Sequence, residues 1–169
     1  MILFSARFGL ETQAAAIILT SLLQTLTPVA EALGQTTLQL SQKQQLSAKV
    51  SFLSLGLPLV LIFCYLINSQ VIADNLATSS LSSKVTIEAF HKMLLVFYLE
   101  SAAQHLTGLK HTEETLVKVS QLLYSSVALS TGPLLAFHSD LGLQGFWLAL
   151  LAASTFQLMT LSLPKFPPK

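Results

Sequence analysis

Residues Leu10–Gln42 read LETQAAAIILTSLLQTLTPVAEALGQTTLQLSQ, and this stretch decides the fold. It opens on the apolar run Ala14-Ala15-Ala16-Ile17-Ile18-Leu19, after which polar residues enter at a regular spacing. Gln13, Thr20, Gln24, Thr27, Glu31, Gln35 and Gln42 stand three, four or seven residues apart. On a helix turning about 100° per residue they fall within an arc of roughly 80°. The other faces carry mostly Ala, Ile, Leu and Val. The pattern predicts a membrane helix over 11–42 with one polar face. A helix of about 30 residues measures about 45 Å, enough for the hydrocarbon core and headgroups. Pro28 removes one backbone donor and predicts a bend near the middle. The other reading of such a stripe is the solvated face of a helix in a soluble bundle.

Composition argues against the soluble reading. Of 169 residues, 52% are hydrophobic and only 10% charged, where a soluble domain has about 25% charged. Mean hydropathy is +0.64. The net charge is +1 and no basic cluster exists, so nucleic acid is excluded as a partner. No nucleophile triad or phosphate-cradling loop is present, and the histidines lack metal-ligand spacing, so neither an enzyme nor a metal or cofactor site is expected. Cys64, alone in an apolar run, is expected to be a small buried residue.

The remaining chain reads as four more helices, over 48–68, 85–106, 112–137 and 141–163, for about five transmembrane helices in one all-α domain, 1–169. Residues 69–84, rich in Ser, Asn and Thr, read as a water-side loop. Glu88, His91 and Lys92 read as interfacial, and His105 and His111 as flanking a loop. Gly132-Pro133 predicts a break in the fourth helix, and His138-Ser139-Asp140 a tight turn. Trp147 and Tyr124 read as packing or interface residues. Lys43, Lys49, Lys110, Lys118, Lys165 and Lys169 fall on one side of this topology. The positive-inside rule makes that side cytoplasmic, with the C-terminus inside and the N-terminus outside. Five helices in that orientation suit a piece of a longer protein.

The order of these elements resembles the second lobe of a multidrug and toxic compound extrusion (MATE) transporter, helices eight to twelve. Pro28, Gln35 and Ser41-Gln42 stand where that family's eighth helix has a Pro, a Gln and a Gly-Gln pair. Gly108-Leu109-Lys110-His111-Thr112 keeps the ends of the turn before its eleventh helix. Gly142-Leu143-Gln144-Gly145-Phe146-Trp147 is similar to the opening of its twelfth. The resemblance implies an incomplete MATE lobe in an inner or plasma membrane. It also implies antiport of organic cations or other xenobiotics driven by H⁺ or Na⁺, with the stripe facing the cleft between lobes. The lipid bilayer, and a missing lobe or a second copy, are then the partners.

Thr20, Gln24, Thr27, Glu31, Gln35 and Glu100 are the candidate pathway residues. A carboxylate within a membrane helix is costly and marks an ion or proton path. Glu31 reads equally as such a group or as an interfacial Glu reaching water. Glu100 resembles the acidic residue of the family's tenth helix, offset by about one turn, and reads also as an interfacial carboxylate or one paired with a nearby Lys. Two functions follow: a partial efflux transporter inactive alone, or a small membrane scaffold that transports nothing.

Overall fold

The computed structural model describes residues 8–45, 47–77, 80–139 and 141–163, apart from the side chains of Ala48 and Lys49. The expectations for Asp140, for the charges in 1–7 and 164–169 and for Lys49 lie outside these. Among the described residues the protein is all-α. Its helices are α1 (Leu10–Gln42), α2 (Ala48–Ile67), α3 (Ser69–Leu76), α4 (Ser80–Leu109), α5 (Glu114–Pro133) and α6 (Gly142–Leu161), with a π-helical turn at Leu134–His138. Three are long and apolar enough to cross a membrane: α1, α2 over Val50–Ile67, and α6.

α4 is the centre of the bundle. It packs chiefly on α1 and α6, and α5 packs on α6. Ala89, Phe90, Met93, Leu94, Val96 and Phe97 are buried along it. They meet Ala15, Ala16, Leu19, Leu26 and Ala30 of α1 and Leu143 and Trp147 of α6 in one core. Small residues on α1 let the two longest helices approach closely, the device by which helices pack where no hydrophobic effect separates lipid from protein. The tightest point is Gly34 against Gly108. A Cβ placed on Gly108 would lie 2.5 Å from the Gly34 carbonyl oxygen and 3.0 Å from the Leu38 nitrogen. α2 lies at the edge, with Phe52, Leu53, Val60, Phe63 and Ile67 exposed.

Several expectations are corrected. Residues 69–84 are not a loop where described, because α3 and the first turns of α4 occupy them. Their Ser, Asn and Asp side chains are absorbed locally: Ser69 Oγ donates to the Leu66 carbonyl, Asn75 Nδ2 to the Val71 carbonyl, and Ser83 Oγ to Asp74 Oδ1 at 2.6 Å. The third helix therefore begins at Ser80, and it ends at Leu109 rather than 106. Gly108 continues it instead of turning, because its lack of a side chain is used against α1. The fourth helix starts at Glu114 and does not break at Gly132-Pro133. The chain widens into the π-helical turn, which absorbs the Pro without ending the helix. There Gly145 of α6 presses on the backbone, its Cβ position 2.7 Å from the Ala136 nitrogen. As expected, α1 is a single helix with Pro28 inside it. Cys64 is exposed, since α2 turns its apolar run outward. Trp147 is wholly buried, a packing residue.

Candidate functional site

The polar stripe of α1 lies beside the helix's buried face. Its lower half borders a groove between α1, α4, α5 and α6. One cavity of about 290 Å³ is lined by Thr27, Glu31, Glu100, Gln104, Gln121, Tyr124, Ser125 and Gln157. A second, of about 450 Å³, is lined by Glu31, Gln35, Gln104, Thr107, His111 and Glu114, with Gly34 and Gly108 in its wall. Glu31 and Gln104 belong to both, so the two cavities adjoin.

Helical spacing delivers these groups. Glu100, Gln104 and His111 follow one another at three-, four- or seven-residue steps along α4 and its exit. Gln121, Tyr124 and Ser125 share a face of α5 by the same rule. Gln157 is the one amide near the end of α6's otherwise apolar run, and it is largely buried. Tyr124 donates its hydroxyl proton to Glu100 Oε1 at 2.8 Å, tying α5 to α4. Glu31 is exposed and stands at the mouth of both cavities. The groove thus offers the carboxylates of Glu31, Glu100 and Glu114, several amides, an imidazole and a phenol to a solute, Glu114 being paired with Lys118.

Of the six candidates, the structure brings Thr27, Glu31, Gln35 and Glu100 to this groove. Thr27 lines it with its hydroxyl turned to its own helix, donating to the Leu23 carbonyl at 3.0 Å. Thr20, half-buried, and Gln24, exposed, do not line either cavity. Gln104, Gln121 and Gln157 line the groove as well, beyond the six candidates. A lone amide in the apolar run of α6 and the Glu100–Gln104 step were the available signals.

His105 was also misjudged. It does not flank a loop; it is inside α4, 2% exposed, on the side of the helix facing α1 and α2. Its Nδ1 lies 2.8 Å from Thr37 Oγ1 of α1 and 3.1 Å from Ser54 Oγ of α2. Its Nε2 lies 2.7 Å from Ser51 Oγ of α2. Three helices therefore meet on one imidazole. Near the other end of α4, Lys92 donates to Gln144 Oε1 of α6 at 2.7 Å, and Gln144 reaches Glu88 at 3.4 Å. At the α4–α5 turn Lys110 pairs with Glu113 at 3.4 Å and donates to the Leu163 carbonyl at 2.9 Å.

No family model, curated protein or solved structure matches this chain. The likeness to MATE transporters therefore stands on the residues quoted for it.

Proposed function

We propose that this chain is a membrane protein of about five spans forming one wall of a solute path, as a partial MATE-like antiporter that works only with a partner. The observation that carries this reading is the open groove into which Thr27, Glu31 and Gln35 of α1, the Glu100–Tyr124 pair, Gln104, Gln121 and Gln157 converge. A scaffold would gain nothing from leaving Glu31 and Glu100 beside unfilled space; it would pack the stripe against a neighbouring helix. Carboxylates in a cleft that also presents Ala30, Leu38 and Val117 suit organic cations, which need both charge complementarity and apolar contact. The driving ion in this reading is H⁺ or Na⁺, taken by the same carboxylates. α4 and α5 complete the span count, with Glu100, Gln104, Gln121 and Tyr124 turned to the groove and Ser101, His105 and Ser120 buried in the bundle. The groove is one wall only, and alternating access needs a second body to rock against it.

The test uses the purified chain in vesicles with a fluorescent organic cation. The chain should bind the dye without moving it along a pH or Na⁺ gradient, and Glu31→Gln with Glu100→Gln should abolish binding. Gradient-driven movement by the chain alone would overturn the half-unit reading. Dye binding indifferent to both carboxylates would remove the solute path and leave a scaffold.

A further inference from the structure

On another side of α4 from Glu100 and Gln104, the His105 cluster does something the groove does not require. We propose that His105 is a proton-operated latch that fastens α2 to α1 and α4 when neutral and releases it when charged.

The hydrogen bonds set the resting state. Ser54 Oγ donates to the Ser51 carbonyl at 2.8 Å, so its own proton is committed within α2. It can then only accept from the ring, which puts the ring proton on Nδ1. Nδ1–H is directed between Ser54 Oγ and Thr37 Oγ1, and Nε2 accepts the proton of Ser51 Oγ. A second ring proton turns Nε2 from an acceptor into a donor, so Ser51 Oγ must swing its own proton away and accept from the ring instead. The bond is reversed, and the imidazolium is left with neutral hydroxyl oxygens as its partners.

Among the described residues, no carboxylate pairs with the ring. α1 presents Thr37 to the ring and α2 presents Ser51 and Ser54, none of which titrates. Residues 50–67 of α2 contain no charged side chain. On α4 itself, Glu100 is engaged by Tyr124 of α5, and Lys110 by Glu113 and the Leu163 carbonyl. Glu31 of α1 faces the groove. A buried imidazolium without a carboxylate partner is costly, and the structure can lower that cost by letting α2 move and water enter.

α2 is the helix able to move. It packs on the bundle far more lightly than α1 or α6 does, and Phe52, Leu53, Val60, Phe63 and Ile67 face outward. Its other ties to α4 are apolar, such as the Tyr65–Phe90 ring contact at 6.5 Å. The latch also lies one residue from Gln104 and one turn from the Gly34–Gly108 contact, so a shift in α2 is felt where α1 and α4 wall the groove.

The experiment places spin labels on the whole chain in nanodiscs at Leu53→Cys of α2 and Met159→Cys of α6, both exposed, in a Cys64→Ala background. Inter-label distances are read at about pH 8 and about pH 5, the range over which histidine changes charge. With His105 present, acidification should replace one distance by a longer, broader one, displaced by about 5 Å, a helical turn. His105→Gln keeps hydrogen-bonding capacity but carries no charge, and should hold the pH 8 distance throughout. Should that variant fail to fold, Ser51→Ala with Ser54→Ala replaces it and should show the longer distance at both pH values. An unchanged distance with His105 present, or an unaltered pH response in either variant, would overturn the proposal.

Discussion

α4 carries two polar regions on two of its sides, and they are built in opposite ways. Toward α5 and α6, Glu100, Gln104 and their neighbours look into about 290 Å³ and 450 Å³ of open space. Toward α1 and α2, His105 is enclosed and each ring nitrogen has a hydroxyl within 3.1 Å. Polar groups left facing a cavity in a hydrophobic protein are arranged for something that arrives; polar groups closed on one another are arranged to hold elements in place. The helix between them is shared, so disturbances to either side can be separated only by choosing residues that belong to one.

The largest effect should come from the contact that both regions share. Gly108→Leu would drive a side chain into the Gly34 carbonyl and the Leu38 backbone, neither of which can rotate aside. Overpacking of that kind costs typically about 1–3 kcal/mol or more, and here it separates the two central helices. The variant should lose its cooperative thermal transition in detergent, with Gly108→Ala intermediate. A Gly108→Leu protein as stable as the parent would mean that the α1–α4 crossing is not the organising contact.

Next come substitutions confined to one side. Glu100→Gln should weaken binding of a cationic dye about tenfold, equivalent to about 1.4 kcal/mol, and leave the α2–α6 distance unchanged. Thr37→Val removes one of the hydroxyls at Nδ1 and should cost about 1 kcal/mol of stability, without altering dye binding. If either variant produced the other's signature, the groove and the latch would be one device. Denaturant unfolding, dye titration and label distances together decide this.

These two regions were unequally legible in the sequence. The 3.6-residue period of polar positions in Leu10–Gln42 is a repeating signal along a single helix, so α1 and its stripe could be read from it. The groove's other walls were not, because Gln121 and Gln157 become neighbours only through packing of α5 and α6 against α4. His105 was the hardest. Its partners Thr37, Ser51 and Ser54 lie 68, 54 and 51 residues away, and Ser and Thr give no sequence signal of binding a histidine rather than their own helix carbonyls. Local propensity misled at 69–84 for a related reason: serines favour turns alone, yet here tertiary packing buries Ser82 and Ser83 and holds them in helix.

The smallest effect belongs to a carboxylate outside both regions, and it sharpens the reading of the latch. Asp74 of α3 accepts from Ser83 Oγ at 2.6 Å and from Gln70 Nε2 at 2.9 Å. The Ser83 bond foremost, and then the Gln70 bond, hold its carboxyl below the ordinary range. A carboxylate lowered on folding lends stability above its unfolded value of about 3.9, and loses it as the pH falls through the folded value. Asp74 therefore acts only in the acid region below about pH 4, whereas the latch acts through the protonation of His105. Asp74→Asn should flatten the stability profile at the acid end, by a small amount because the group is on the surface, and leave the α2 response intact. Midpoints of thermal unfolding measured across the acid range, beside label distances across the histidine range, separate the two. An α2 movement that vanished in Asp74→Asn would shift the pH sensor from the imidazole to the α3–α4 corner, and His105 would then be a structural tie alone.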